Sequence, residues 1–214
     1  MTMLSIETPK QTRGWIAVNS KRLFDLVLSL LILAMIWPLI VLSAAAVALT
    51  SRGPVFFVQR RVGLDGKPFK MIKFRSMLQN AEDLRDRIAH QSDREGLCIK
   101  IKNDPRTTRV GRFLRRWSLD ELPQLFNVIR GDMSLVGPRP ALVEEVDEYP
   151  ERAHLRHRVQ PGITGLWQVS GRAEIGFEEM IDLDLAYVRN CTLRTDLVIL
   201  FRTFRAVLDG RGAY

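Results

Sequence analysis

Chemistry is most readily placed in the stretch Trp117-Ser118-Leu119-Asp120-Glu121-Leu122-Pro123-Gln124. Two carboxylates, Asp120 and Glu121, stand side by side, with Arg112, Arg115 and Arg116 just before them. One carboxylate of such a pair can attack phosphorus and carry the phosphoryl group covalently. The other can help to hold a divalent cation, while arginines spread the charge of a diphosphate. The same letters admit a plainer reading. Ser118 and Glu121 form S-x-x-E, the pattern of a capping box, and acids suit the positive end of a helix. On local pattern alone the cap is the commoner outcome. The two readings compete, because a Glu121 engaged in its own cap is less available to a metal.

Two Gly/Pro-rich segments add further candidates. Arg139 lies between Pro138 and Pro140, so its guanidinium would be presented on a stiff backbone in the forked geometry that suits phosphate. An exposed loop arginine is the alternative there. The segment PGITGLWQVSGR, residues 161–172, offers Gly165, Trp167, Gln168 and Arg172 as candidates for gripping a nucleotide sugar: backbone amides, an aromatic face, an amide and a charge. It could equally be a compact structural loop. It matches neither a Walker loop nor a dinucleotide fingerprint.

These residues need elements to hold them. The chain has 214 residues, enough for one domain plus a small anchor, and a net charge of +8 that favours anionic partners. Basic residues are not interleaved with exposed aromatics on one stripe, which argues against nucleic acid. Cys98 and Cys191 form no CxxC pair, so zinc has no support. His154 and His157 sit among Arg152, Arg156 and Arg158, which reads as a solvated basic face. PVFFVQRRV (54–62) and KPFKMIKFR (67–75) read as a hairpin around GLDG. A helix is predicted over 76–90, then a loop with a short strand, then two helical pieces joined near Trp117-Ser118. Residues 131–140 cannot be continuous helix. Residues 141–158 read as helix interrupted near Pro150, 161–172 as loop, and 177–190 and 195–210 as closing helices. The fold class is α+β, helix-rich.

From Leu26 to Leu49 there is no charge, so the run is long enough to cross a bilayer. Pro38 near its midpoint should kink or break the helix. Lys21 and Arg22 before the run and Arg52, Arg60 and Arg61 after it mark both ends as cytoplasmic. A re-entrant helix–break–helix satisfies both ends; a straight span satisfies one, and prolines do occur in spans. Trp15 to Asp25 could lie at the membrane interface, anchored by Trp15 and Phe24. The expected organisation is an interfacial segment over 1–20, a membrane segment over 21–52 broken at Pro38, and a cytoplasmic catalytic domain over 53–214.

Taken in order, KRLFDLVLSLL with its later Pro38, GPVFFVQRRVGLDGKPFKMIKFRSM, SLDELPQLFNVIRGDMSLVGPRP, PGITGLWQVSGR and the closing GAY resemble the bacterial sugar transferases, the monotopic polyprenyl-phosphate phosphoglycosyl transferases. The resemblance runs from Lys21 to the C-terminus. It implies that Asp120 takes the phosphosugar covalently from a UDP-sugar and that Glu121, with Asp120, binds Mg²⁺. Arg115 and Arg139 would engage phosphate, and undecaprenyl phosphate would accept the phosphosugar in a ping-pong scheme. It further implies a re-entrant helix, the bacterial inner membrane with catalysis on the cytoplasmic face, and a role in exopolysaccharide or O-antigen assembly. Membrane lipids and a homodimer are among the expected partners. Many relatives carry additional spanning helices, so this chain reads as the minimal catalytic form. A non-catalytic membrane scaffold and a glycosyltransferase releasing UDP are the competing functions. No residue chooses the sugar.

Overall fold

The computed structural model describes residues 15–79, 81, 101, 104–171 and 175–209. The helix expected over 76–90 lies mostly outside these residues, as do the short strand after it, Cys98 and Arg172.

One helix, α1 (Trp15–Thr50), accounts for the apolar run and the amphipathic stretch before it. At 36 residues it is about 54 Å long, and residues 19–50 are long and apolar enough to cross a membrane. The expected break at Pro38 is absent: helical structure continues through the proline. The proline withholds one hydrogen bond, the one to the Ala34 carbonyl, and both residues lie on the outward side, where the ring meets no packed neighbour. The opposite face explains why the helix stays whole. Leu28, Ile32 and Ile36 pack on the main core, while Ile40, Ala44 and Val47 pack with Phe74 and Leu114. Spacings of three and four keep this stripe on one side along the whole element. The other side leaves Leu31, Met35, Trp37, Leu42 and Leu49 exposed.

Both ends of α1 are fastened to the rest of the fold. Lys21, expected as a membrane-flanking cation, instead donates to Asp196 and Ser134, each at 2.7 Å. Asp25 is fully buried and accepts from the Leu135 amide. Arg22 donates to the carbonyls of Val128 and Ile129. At the far end Arg75 donates to the carbonyls of Ser51 and Arg52.

The predicted hairpin forms, with β1 (Phe56–Val62) antiparallel to β2 (Pro68–Phe74). The two helical pieces also form, as α2 (Arg109–Arg116) and α3 (Gln124–Arg130). Thr108 caps α2 through the Gly111 amide at 2.9 Å. Asn127 of α3 is fully buried and covers the open edge of β2, accepting from the Ile72 amide and donating to the Lys70 carbonyl.

Inside the two segments that read as loops, a second sheet appears. Strand β3 (Ser134–Val136) pairs in parallel with β4 (Gly162–Thr164). After β3 come α4 (Val143–Val146) and a 3₁₀ turn over Glu151–Arg158, so the interruption at Pro150 is real. After β4 come α5 (Leu166–Ser170), α6 (Phe177–Arg189) and α7 (Leu193–Asp209). The basic stretch is only partly solvated. Arg152, His154 and Arg158 are exposed, but Arg156 is buried and pairs with Asp184 at 2.6 Å. The parallel pairing depends on glycine. A Cβ at Gly162 would lie 2.1 Å from the Gly137 nitrogen, and one at Gly165 would lie 2.4 Å from the Gly137 carbonyl oxygen.

Gly162→Ala should therefore lower stability by about 1–3 kcal/mol or more, since backbone must move to admit the methyl group. Gly176→Ala, where a Cβ would meet nothing within 4 Å, is the control. Thermal unfolding of both variants in nanodiscs checks this; equal melting temperatures would show that the two strands do not approach so closely.

Candidate active site

The carboxylate pair sits on a 3₁₀ turn, Leu119–Glu121, between α2 and α3. Ser118 enters that turn in the left-handed conformation (φ 54°, ψ 22°), and its hydroxyl makes no capping bond. The capping box does not form. The left-handed residue reverses the chain after α2, so Glu121 points away from Ser118 and into the molecule.

There Glu121 meets two cations from distant elements. Lys73 Nζ of β2 donates to Glu121 Oε1 at 3.0 Å, and Arg139 Nη2 donates to the same oxygen at 2.6 Å. Arg139 is steadied from behind, because its carbonyl accepts from Arg156, which also binds Tyr149 and Asp184. Arg115 is oriented by Ser76, Nε to Oγ at 3.0 Å. Ser76 is in turn pressed against Gly111, where a Cβ would fall 1.9 Å from the Ser76 carbonyl oxygen.

Lys73 was not among the candidates read from the sequence. A signal for it existed. Along β2 alternate residues share a face, so Phe69, Met71 and Lys73 point the same way. Met71 is in the core, so a lysine stands where an apolar residue is expected. The amphiphilic look of KMIKF hid that exception.

Burial and charge set the two carboxylates apart. Burial opposes ionisation of Glu121, but Arg139 and Lys73 outweigh it and hold the acid well below the usual carboxylate range. Asp120 is pushed up by burial and by the Glu121 charge, against the pull of Lys73, Arg115 and Arg139. Burial lowers Lys73 to about 8, with Glu121 resisting the change and Arg139 adding to it. The division in hydrogen bonding is equally clear. Glu121 Oε1 is engaged twice, whereas no described residue donates a hydrogen bond to the Asp120 carboxylate.

Asp120, Glu121, Lys73, Arg115 and Arg139 line one cleft of roughly 1090 Å³. Trp167 and Gln168 border it too, so six of the sequence-predicted candidates converge; Gly165 is not part of the lining, and Arg172 lies outside the described residues. Trp167 is nevertheless only 7% exposed and belongs to the cluster of Tyr149, Ala153 and Ile181, so it presents little face for stacking on a base. Gln168 donates to the Ile163 carbonyl at 3.2 Å. Gly165 acts through its close approach to Gly137. Among the described residues no group of three or more His, Cys, Asp or Glu side chains could hold a metal. Mg²⁺ does not require one, since it is commonly held by one or two carboxylates with substrate phosphates and water. The uncommitted oxygens of Asp120 and Glu121 fit that donor set.

The bacterial sugar transferase family matches residues 16–210. An exopolysaccharide production protein ExoY of Sinorhizobium fredii is 41% identical over 91% of this chain and 88% of its own length. The undecaprenyl-phosphate galactose phosphotransferase of Salmonella typhimurium is 45% identical over 91% of this chain. So is the UDP-glucose:undecaprenyl-phosphate glucose-1-phosphate transferase of Klebsiella pneumoniae. The chain spans only 41% of the length of each of these two transferases.

The lysine at the site should titrate with a midpoint of about 8, and Glu121→Gln should move the midpoint further down by removing the anion that favours its charge. Because the folded value lies below the ordinary 10.5, the unfolded chain holds more protons between those limits, and this group makes the fold more stable as pH rises through that window. NMR of labelled lysine Nζ reads the midpoint directly. A value near 10.5 that ignores Glu121→Gln would rule out the buried pair.

Proposed function

Because this chain belongs to the bacterial sugar transferase family, we propose that it transfers a sugar-1-phosphate from a UDP-sugar to undecaprenyl phosphate at the bacterial cytoplasmic membrane. That reaction would begin assembly of a cell-surface polysaccharide. The observation that carries the reading is the unequal treatment of the two carboxylates: Glu121 is locked by Lys73 and Arg139, while the Asp120 carboxylate beside it accepts a hydrogen bond from no described residue in a cation-lined cleft.

A carboxylate oxygen of Asp120 attacks the phosphorus that bears the sugar. The bond from that phosphorus to the bridging oxygen breaks, and UMP departs with the electron pair. A phosphate oxygen of undecaprenyl phosphate then attacks the phosphorus held on Asp120. The acyl–phosphate bond breaks, Asp120 is restored, and the lipid-linked sugar diphosphate leaves. Attack requires an ionised Asp120, so Arg115, Arg139 and Lys73 both hold the phosphates and oppose the rise in its proton affinity. Mg²⁺ bound by Asp120 and Glu121 with phosphate oxygens would supply further positive charge against the diphosphate. Glu121 positions Lys73 and Arg139 about one shared oxygen, which keeps the cationic wall in place between the two half-reactions.

The membrane arrangement we infer is monotopic. Packing of α1 along the domain from Leu28 to Val47, with both ends fastened to it, keeps helix and domain on one side of the membrane, the cytoplasmic one by the resemblance. Helix α7 supports an interfacial position as well. Leu197, Phe201, Phe204 and Leu208 are exposed on it beside Arg194, Arg202 and Arg205.

With protein in nanodiscs, Mg²⁺, undecaprenyl phosphate and UDP-glucose or UDP-galactose among a panel of UDP-sugars, the expected product is UMP. Asp120→Asn should reduce its release by about a thousandfold or more. UDP in place of UMP would sink phosphosugar transfer and point to a plain glycosyltransferase. Full activity in Asp120→Asn would remove the assigned nucleophile.

A further inference from the structure

The segment that carries Arg139 cannot be held in the usual way. Pro138 and Pro140 have no amide N–H, so Pro138-Arg139-Pro140 must be fixed mainly through its carbonyls. Each of those carbonyls is engaged, and each by a different element. Pro138 accepts from the Gly162 amide of β4 at 2.9 Å. Arg139 accepts from Arg156 Nη2 at 2.8 Å, and Pro140 from Arg61 Nη1 at 3.1 Å. Arg61, which reads from the sequence as a membrane flank, therefore has a different place. It lies near the end of β1 and lines the cleft. Phe69 stands opposite Arg61 and Phe57 opposite Lys73, so Arg61 and Lys73 share one face of the hairpin. The other edge of the Arg61 guanidinium is fixed as well: Nε and Nη2 both donate to Gln59 Oε1, at 3.0 and 2.7 Å. The backbone follows the side chain, since the Val62 amide donates to the Ala141 carbonyl at 3.0 Å.

Two cations from separate parts of the chain must reach one oxygen of Glu121, and Arg61 joins the hairpin that bears the first to the segment that bears the second. Resting on the phosphosugar-transfer reading, we propose that Arg61 is a positioning residue for transfer, acting through Arg139 by setting where that guanidinium meets Glu121 and the diphosphate. Gly162 and Arg156 relate the Arg139 segment to the second sheet and, through Asp184, to α6. Arg61 relates it to Lys73. The role calls for a fork rather than a charge, because a lysine would offer one nitrogen on a flexible stem in place of donors fixed in a plane.

Arg61→Lys tests this in nanodiscs, with Lys70→Gln on the exposed face of β2 as control. The substitution keeps the charge that Arg61 itself exerts on Lys73 and removes the fork. Arg139 holds the Lys73 midpoint down and shares its anion, so a displaced Arg139 should let that midpoint rise from about 8 by roughly half a unit or more. UMP release should lose about tenfold or more in kcat/KM for the UDP-sugar, with the control within about twofold. In Arg139→Ala there is no guanidinium to position, so Arg61→Lys should move the midpoint no further and cost no more than about twofold in turnover. Where Arg139→Ala is inactive, the midpoint carries the comparison. Gln59→Met, which leaves Arg61 in place but removes the acceptor that orients it, should shift both readouts in the same direction, and it replaces Arg61→Lys if that variant does not fold. An unmoved midpoint in folded protein would overturn the proposal. So would full activity in Arg61→Lys beside a loss in Arg61→Gln, which would make Arg61 a simple charge. Losses that multiply with Arg139→Ala would place Arg61 on the substrate directly and equally sink the positioning role. If wild type releases no UMP from any UDP-sugar, the transfer reading itself has failed, and the Lys73 midpoint then decides the Arg61 contact alone.

Discussion

A carboxylate cannot remain ionised in the interior unless cations are brought to it, and Glu121 imposes that condition on most of this fold. Its two partners come from elements far apart in sequence, Lys73 from the hairpin and Arg139 from the segment after β3. Each partner needs its own support. Lys73 depends on β2 being held at its edge by Asn127, and Arg139 depends on the buried Arg156–Asp184 pair behind its carbonyl. Removing one member of such a set is costly because it leaves the remaining charges uncompensated. The arrangement therefore behaves as a unit, and Asp120 inherits its position from it.

A second buried charge set ties α1 to the same site. Lys21 of α1 pairs both with Asp25 of the same helix and with Asp196 of α7, and the Tyr187 hydroxyl of α6 lies between Asp196 at 2.7 Å and the Val136 carbonyl at 2.9 Å, its one proton within reach of either. Val136 ends the strand that leads into Arg139. Helix α1 and the cation wall of the cleft thus share a backbone segment, which fixes their relation. The long stripe along α1 extends it to the far end, where Arg75, just past β2, donates to the Ser51 and Arg52 carbonyls that follow the helix.

The hairpin, the two helical pieces around Trp117, the irregular region near Pro150 and the closing helices were legible because each rests on local periodicity or on turn residues. The site was legible in part. Asp120, Glu121, Arg115 and Arg139 are named by their residue types and meet in one cleft. Lys73 was not seen, since strand alternation had to be combined with knowledge of which face is buried. Trp167 was read as a stacking surface and is instead mostly core. Lys21 and Arg22 were read as membrane flanks and instead bind the domain, because a flank and an anchor have the same composition.

Sequence by itself determined the long apolar run, the adjacent carboxylates and the arginines, since these follow from hydropathy, spacing and side-chain chemistry within a few residues. Tertiary structure alone decided between a capping glutamate and an ion-paired one, between a broken helix and a continuous one, and between two loops and a parallel strand pair. In each case the competing local energies are about a kilocalorie per mole or a few. Contacts from remote residues, the Lys73 and Arg139 charges, the packed stripe of α1 and the backbone contact at Gly137 and Gly162, are large enough to choose.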